Sequence, residues 1–497
     1  MSEQGNQTSS YRNIFKATSL FGGVQAYQIL IGVIKSKFIA ILLGPEGMGI
    51  QGLYQSAIHL IQSFSSLGLS QSAVRDVSEA NGSGDSKRIG LTVVVVKRLV
   101  WLTGLLGLVL TAVFSPILSK STFGNYDYTI PFIILSVILL LDQLSAGQRV
   151  VLQGMRKLKS LAKSTAIGST VGLIVSVPLY YLFGVKGIVP TLILNSLTML
   201  ALTWYFSKKV EVVNVQVTNR ETIQHGKSMM KMGIAMSVSG IMTTLTAYAL
   251  RSYIRHESGV EQVGLFTAGF VLMNTYVGMV FNAMATDYYP RLSAVNQNNE
   301  ECRQVINQQG EIATLIIAPI LLSCLILMPF IIRIIYSEDF LPATDYILWA
   351  VLGMMFKTFS WVISFVFLAK AEAKLFMINE IISNIYFFGF NILAYHFWGL
   401  AGLGVAFMVC YLLYSVQVYL IANKKYQFSF TTSFKKVYAV QLLMVTAGFV
   451  LICLCKSNWV YLPAGVLFVI SGLYSLKELD KRMNYVKKCI GRQLKKK

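Results

Sequence analysis

The chain has 497 residues, of which 55% are hydrophobic and 13% are charged, and its formal net charge is +21. A soluble globular chain carries about 25% charged residues, so this composition excludes an ordinary soluble protein and indicates lipid as the solvent. The distribution of charge argues against nucleic-acid binding, because 34 of the 43 Lys and Arg fall on one set of alternate loops between apolar segments. Such a bias identifies that set of loops as cytoplasmic.

Fourteen apolar segments follow one another along the chain. Each is close to the roughly 20 residues that a transmembrane helix needs, and each is continuously apolar instead of alternating as barrel strands do. The loops between them carry no soluble domain. The sequence therefore predicts an all-α polytopic membrane protein with about 14 transmembrane helices, at 17–42, 48–68, 98–119, 128–151, 161–183, 187–206, 231–255, 263–285, 312–335, 345–368, 376–398, 400–421, 437–455 and 459–476.

The two ends of the chain are polar or basic. The opening segment MSEQGNQTSSYRNIF shows no apolar core followed by a small-residue cleavage site, so the first span is expected to be an uncleaved anchor. An even number of spans places both termini in the cytoplasm. The tail at 477–497 carries nine basic residues, which suit an anionic leaflet surface.

An internal repeat is visible at a nearly constant offset. FGVKG at 183–187 corresponds to WGLAG at 398–402, and Gly49 corresponds to Gly264, both at an offset of 215. Each repeat holds six spans, so the two copies have the same orientation and are related about an axis along the membrane normal.

The repeat predicts two pseudo-symmetric six-helix lobes plus two C-terminal helices. The lobes are predicted at 1–210 and 211–425, and the two extra spans and the basic cytoplasmic tail occupy 426–497. Two bundles that face one another form a cleft, which is the usual geometry for alternating access.

Polar residues recur at helical spacing within the first two spans. One face of the first span carries Gln25, Gln28, Gly32 and Lys35. One face of the second carries Gln51, Gln55, His59, Gln62 and Ser66. The functional interpretation is a hydrated lumen that binds sugar hydroxyls. The alternative is hydrogen bonding between helices inside a packed bundle.

Lysines within the spans are candidates for anion binding, because a charge in hydrocarbon is costly unless it faces a cavity or a partner. Lys35 lies near the centre of its span, where an ammonium group attracts phosphate. Snorkelling or pairing with a carboxylate is the alternative. Lys37 points roughly 200° away around the helix, so the two lysines do not easily serve one face. Lys357, in the middle of a later span, is a further lumen candidate.

The seventh span repeats this pattern with arginine. Arg251 and Arg255 are spaced by one helical turn, so they are candidates to grip an anion through bidentate hydrogen bonds. The alternative is an interfacial anchor that pairs with Glu257 or Glu261.

Two titratable groups are candidates for ion coupling. Asp142 either pairs with a Lys or Arg or binds a coupling proton or Na⁺. His59 either takes part in proton coupling, a role that suits histidine as a residue type, or forms a hydrogen bond in the core. No catalytic motif, metal-ligand spacing or cysteine framework is present in the sequence, so we expect a protein that is not an enzyme and that uses no cofactor or metal.

The segment FIAILLGPEGMGIQGLY at 38–54 resembles the bacterial polysaccharide flippases of the multidrug/oligosaccharidyl-lipid/polysaccharide (MOP) exporter superfamily, whose usual signature is LGPEGxG. The segments at 63–79 and 152–160 also resemble them, and the likeness spans most of 10–425. Within the superfamily the sequence is most similar to the Wzx type, the O-antigen or enterobacterial-common-antigen translocases. Two added C-terminal spans depart from the twelve-span Wzx pattern and are shared with the lipid II flippases.

This resemblance implies a two-lobed, MATE-like fold with a central cationic cavity in the bacterial inner membrane. It implies that an undecaprenyl-pyrophosphate-linked oligosaccharide, such as an O-antigen repeat unit of lipopolysaccharide, moves from the cytoplasmic to the periplasmic leaflet. In the lipid II flippases a basic residue of the first span contributes to the anion site, and Lys35 holds about that position, with Lys in place of Arg. The expected partners are the lipid-linked oligosaccharide, the bilayer and a coupling ion (H⁺ or Na⁺), and we expect a monomer.

Two other functions remain open. A cation-coupled multidrug exporter of the same superfamily needs acidic groups in its cavity, whereas the deep charges here are mostly basic. A membrane polysaccharide polymerase or ligase needs a sizeable outer catalytic loop, whereas the longest outer loop is about ten residues, at 119–128.

Overall fold

The computed structural model describes residues 2–213, 215–370, 372–454 and 458–483, with side chains described at most positions from Gly23 onward. Most of the basic tail, from residue 484, lies outside the described residues. Across the described ranges the regular structure is helical. The α-helices are α1 (Ser2–Ser65), α2 (Leu69–Ser83), α3 (Ser86–Val113), α4 (Ser115–Phe123), α5 (Thr129–Gly154), α6 (Leu158–Phe183), α7 (Ile188–Lys208), α8 (Asn219–Ser258), α9 (Val260–Phe270), α10 (Met279–Ala294), α11 (Asn299–Ile335), α12 (Thr344–Ala369), α13 (Ala373–Tyr426), α14 (Thr432–Leu454) and α15 (Tyr461–Met483).

Within the described residues each of the fourteen predicted spans is mainly helical, and the spans at 98–119 and 263–285 each extend over more than one helix. The described residues contain ten helical segments that are long and apolar enough to cross a membrane. Glycines with non-helical backbone divide three of these, at Gly44 in α1, at Gly184 between α6 and α7, and at Gly399 in α13. With α8, which covers the predicted span at 231–255, these segments account for all fourteen predictions, and the chain is an all-helical polytopic membrane protein.

The glycine breaks have matching backbone angles at equivalent positions of the predicted repeat. Gly184 has φ 53° and ψ −134°, and Gly399, at the repeat offset from it, has φ 55° and ψ −134°. Gly44 has φ 65° and ψ −169°, and Gly259, at the same offset again, has φ 90° and ψ 175°. These combinations belong almost entirely to glycine. The same turn therefore recurs at the same place in each half of the chain, as the sequence offset predicts.

One helix occupies a region that the sequence analysis assigns to an inner loop. α2 lies between the predicted spans at 48–68 and 98–119, and it buries Leu69, Ala73, Val77 and Ala80. Their spacing of four, four and three residues places them on one face. The 15 residues of α2 are too few and too polar to predict a span, so the apolar pattern does not indicate this helix.

The described chain divides into two compact units. Unit 1 comprises residues 1–264 and 335–337, and unit 2 comprises residues 265–334 and 338–497. α8 belongs to unit 1, where it packs on α1, α2, α3 and α4. Contacts therefore divide the chain about one span later than the repeat does, and the lobe boundaries at 210 and 425 stay a prediction.

Candidate substrate-binding site

Lys35 is a partly buried cation of unit 1. It lies on α1 before the break at Gly44, within the predicted span at 17–42. It makes no hydrogen bond, ion pair or ring contact with any residue that the structure describes. One turn away, a Cβ built on Gly32 would meet no described atom within 4 Å. The ammonium group is therefore available to an anion that enters from outside the polypeptide.

The polar residues predicted to accompany Lys35 are divided between open and packed positions. Gln25, Gln55 and His59 are exposed on the protein surface, and Gln28 and Gln62 are partly buried. Exposed polar groups at membrane depth require water or a polar partner. Gln51, by contrast, is buried, and its Oε1 accepts a 3.5 Å hydrogen bond from the hydroxyl of Tyr180.

Lys37 has a backbone partner. Its Nζ donates a hydrogen bond to the carbonyl oxygen of Tyr336, in the segment Ile335–Ser337 that belongs to unit 1. Tyr336 directly follows the last residue of α11, and a cation is favourable next to the carbonyl end of a helix. This contact gives Lys37 a structural role within the membrane span. Lys35 makes no such contact with the described residues.

The two arginines of α8 lie at a helix junction in unit 1. Arg251 Nη1 donates to the carbonyl of Ala247 (3.2 Å). The guanidinium of Arg255 lies directly over Gly124, and its Nη1 donates to His256 Nδ1 (3.3 Å).

Further contacts fix this end of α8 to α4. His256 Nε2 donates to the carbonyl of Ser121 (3.0 Å), and the hydroxyl of Tyr248 lies 2.7 Å from the Ser121 hydroxyl and 2.8 Å from the Thr122 hydroxyl. This end of α8 is therefore a packed junction, and a bidentate anion grip by Arg251 and Arg255 stays a prediction.

Lys357 lies among aromatic rings in unit 2. Its Nζ donates a 3.0 Å hydrogen bond to Asn274 Oδ1 and lies 5.2 Å from the ring centroid of Tyr411. The rings of Phe281 and Phe407 are each 5.9 Å away. Cations are attracted to the faces of such rings. No carboxylate pairs with Lys357 among the described residues, so no described acidic group offsets a positive charge there.

Sequence reasoning missed Asn274 and Tyr411. Asn274 lies in a π-helical turn at Val271–Val277, and such turns are frequent at functional sites. The signal in the sequence was a single Asn in the apolar run VLMNTYV. The partner could not be predicted, because Asn274 and Lys357 are 83 residues apart along the chain.

Asp142 joins the polar face of α1 to two other helices of unit 1. Its carboxylate on α5 interacts with the side chain of Ser196 on α7, and electrostatically with Arg149 and His59. Asp142 therefore shares one cluster with Arg149 and His59, and its two predicted roles, pairing with a basic residue and binding a coupling ion, stay predictions. The described residues contain no group of three or more His, Cys, Asp or Glu that could hold a metal ion.

The sequence matches one protein-family model and two curated relatives. The model described as "Polysaccharide biosynthesis protein" matches residues 38–345, which is more than half of the chain. The lipid III flippase of Escherichia coli (strain K12) is 21% identical over 400 residues, which cover 77% of this chain and 92% of that protein. The lipid III flippase of Shigella flexneri matches at the same identity and coverage.

The fold matches solved transporter structures. An inward-facing multidrug resistance MATE family transporter of the MOP superfamily gives a TM-score of 0.70 at 17% identity, covering 82% of this chain and 96% of that one. The lipid II flippase MurJ in an inward closed conformation gives a TM-score of 0.67 at 17% identity, covering 93% of this chain and 99% of that one. At these identities the likeness concerns the fold.

Proposed function

The chain belongs to the polysaccharide biosynthesis protein family, and from this premise we propose that it flips a lipid-linked oligosaccharide from the cytoplasmic to the periplasmic leaflet by alternating access. The family and the similarity to lipid III flippases support this class of cargo. The finer proposal is an undecaprenyl-pyrophosphate-linked oligosaccharide, such as an O-antigen repeat unit. The protein then acts as a transporter and performs no covalent chemistry.

The observation that carries the proposal is the ammonium group of Lys35. A buried or half-buried charge normally finds a partner within the protein, because its desolvation is costly. Lys35 finds none among the described residues. A pyrophosphate supplies the missing anion, and charge-assisted hydrogen bonds to it are stronger than neutral ones.

Lys357 supplies a second cation in unit 2. Its Nζ is held by the amide of Asn274 and by aromatic rings, with no acidic partner among the described residues. Asparagine and tyrosine also interact well with sugars through hydrogen bonds and ring faces. We propose that Lys357 contacts the anionic or saccharide part of the cargo at one stage of its passage.

The polar groups on α1 suit the saccharide. Gln28, before the break at Gly44, and His59 and Gln62, after it, offer hydrogen-bond donors and acceptors. Together with the cluster around Asp142, His59 also offers a group that can exchange a proton. We propose that Asp142 and His59 couple transport to H⁺ or Na⁺, because the carboxylate and the imidazole lie in electrostatic contact.

The charges disfavour a multidrug exporter of organic cations. Such a cargo needs an acidic site, whereas Lys35 and Lys357 are cations with no carboxylate partner among the described residues. We therefore expect that the protein expels no cationic dye from membrane vesicles energised by an ion gradient. Export of such a dye, with no flipping of lipid-linked oligosaccharide, would reverse this assignment.

The direct test is flipping of a fluorescent undecaprenyl-pyrophosphate-linked oligosaccharide in proteoliposomes. A charge-assisted hydrogen bond contributes about 1.5–3 kcal/mol, so Lys35→Ala and Lys357→Ala are each expected to slow flipping by roughly 10- to 100-fold. Lys35→Arg keeps the charge and is expected to retain part of the rate. Lys163→Gln removes an exposed cation of α6 and serves as the matched control. Unchanged rates in both alanine variants would remove the proposed role of these charges.

A further inference from the structure

A groove opens on unit 1 between α3, α5 and α7. Its volume is about 480 Å³, which falls within the range of roughly 300–1,000 Å³ typical of small-ligand pockets. Its walls are mainly apolar and include Leu144, Leu197 and Leu200. Its polar and aromatic atoms come from a few side chains, and none of the described residues that line it is acidic. These side chains are Lys97, Trp101, Gln148 and Trp204.

The surface around the groove is of the kind that contacts lipid. On α3 the side chains of Leu102, Leu105 and Val109 are exposed, and on α7 those of Leu194 and Leu197 are exposed. Contiguous exposed apolar side chains along membrane-spanning helices face hydrocarbon. The groove therefore opens toward the bilayer and is accessible to membrane lipids.

Two Lys–Trp pairs mark one end of the groove. Lys97 precedes Trp101 by four residues on α3, and Lys208 follows Trp204 by four residues on α7, with the Lys208 ammonium 5.2 Å from the Trp204 ring centroid. α3 and α7 run in opposite directions in the predicted topology, so on both helices the lysine lies about 6 Å to the cytoplasmic side of the tryptophan. Tryptophan favours the membrane interface, and lysine beyond it meets the headgroup layer.

Lys97 is available to a ligand from the bilayer. The neighbouring Arg98 is engaged, because its Nη1 donates to Thr222 Oγ1 (2.8 Å) at the start of α8. Lys97 is exposed and makes no hydrogen bond or ion pair with the residues that the structure describes. A basic pocket between transmembrane helices on the cytoplasmic side is the arrangement that binds anionic headgroups.

We propose that this groove binds a phospholipid of the cytoplasmic leaflet that carries an anionic headgroup. Its phosphate lies against Lys97 and Lys208, Gln148 donates a hydrogen bond near the ester region, and an acyl chain lies along the leucines between α3, α5 and α7. Neither Lys35 nor Lys357 lines this groove, and the proposal does not depend on what the protein transports.

The test measures lipid retention by the purified full-length protein. Protein in detergent is incubated with equal amounts of phosphatidylglycerol and phosphatidylethanolamine, and native mass spectrometry counts the lipids that remain bound. One lysine near an anionic headgroup contributes about 1 kcal/mol, so Lys97→Gln is expected to lower phosphatidylglycerol affinity about fivefold, and Lys97→Gln/Lys208→Gln further. Ala201→Phe fills the groove and is expected to abolish the preference.

Two variants are controls and are expected to behave as the parent protein. Lys163→Gln removes a cation elsewhere on the cytoplasmic side of unit 1, and Leu102→Phe adds bulk to the lipid-facing surface outside the groove. Equal retention of the two phospholipids, or equal loss in Lys163→Gln and Lys97→Gln, would overturn the proposal. So would displacement of phosphatidylglycerol from the groove by undecaprenyl phosphate at equal concentration, because the occupant would then be a polyprenyl chain.

Discussion

Gly49 and Gly264, which occupy equivalent positions of the repeat, make the same close contact in opposite directions. Gly49 lies against the carbonyl oxygen of Val260, and Gly264 lies against the carbonyl oxygen of Pro45. Val260 and Pro45 are themselves equivalent in the repeat, because they directly follow Gly259 and Gly44, the two matching helix breaks. The contact is therefore reciprocal, as expected where two copies of a repeat meet about a twofold pseudo-symmetry axis.

The reciprocal contact predicts that alanine is poorly tolerated at both glycines. A Cβ at Gly49 or Gly264 overlaps a backbone oxygen, which cannot move aside as a flexible side chain can. Overpacking of this kind costs about 1–3 kcal/mol, so Gly49→Ala and Gly264→Ala are each expected to lower the unfolding midpoint in detergent. Gly389→Ala is the control, because its Cβ would meet no atom of the described chain within 4 Å and alanine favours a helix. Equal midpoints in the three variants would contradict the contact.

We expect alanine at Gly184 and at Gly399, which are equivalent breaks, to cause equal losses of stability. Here the cause is backbone strain and not a steric overlap. At either position a Cβ would have no described neighbour within 4 Å, yet φ is positive at both. Gly184→Ala and Gly399→Ala therefore strain only the backbone, at about 1–3 kcal/mol each. Because their φ and ψ angles are nearly identical, we expect equal losses of unfolding free energy, measured by chemical denaturation in mixed micelles. A loss at one position and none at the other would show that the two turns are not equivalent.

The repeat could be predicted from sequence because its glycines are fixed by backbone geometry. The turns at Gly184 in FGVKG and at Gly399 in WGLAG require a backbone conformation that favours glycine. Both copies of the repeat therefore have glycine at this position, although the apolar residues around it differ. The site was harder to predict, because its partners are distant in sequence. Lys37 and Tyr336 are 299 residues apart. Periodicity identifies a helix face but does not identify which carbonyl or ring a lysine on that face meets.

We expect substitutions of Lys357 and Asn274 in unit 2 to be coupled in their effects on the free energy of unfolding. Asn274→Leu leaves the ammonium group without its 3.0 Å hydrogen bond, and Lys357→Met leaves the amide without its cation. Each single variant is expected to cost about 1–3 kcal/mol for the group left unsatisfied, whereas the double variant replaces both by apolar groups and costs less than the sum.

The measurement for this pair is a double-mutant cycle on the free energy of unfolding. Thr275→Val next to Asn274 is a control that leaves the hydrogen bond in place. A coupling energy near zero would mean that the hydrogen bond contributes nothing to stability. Because Lys357→Met also removes the proposed cargo contact, the flipping rate is expected to fall in the double variant as well as in Lys357→Met.

Ion pairs at the C-terminal end of α15, beyond the predicted span at 459–476, are expected to make the stability of the protein depend on pH in the acid range. Hydrogen bonds from Lys481 and Arg482 lower the pKa of Glu478 from its usual value of 4.5. Arg482 Nε also donates to Glu311 (2.6 Å). Because the pKa of Glu478 is lower in the folded protein than in the unfolded chain, its stabilising effect is complete above pH 4.5 and is lost as the pH falls through the folded value.

We therefore expect the unfolding midpoint of the parent protein to fall as the pH drops below 4.5. In Lys481→Gln/Arg482→Gln the carboxylate loses both donors, so the variant is less stable at pH 7 and its midpoint changes less over the same interval. Lys477→Gln removes an exposed cation one residue before Glu478 and is expected to follow the parent curve. If the double variant lost as much stability below pH 4.5 as the parent, the ionised form of Glu478 would not stabilise the attachment of α15, and another carboxylate would carry the acid transition.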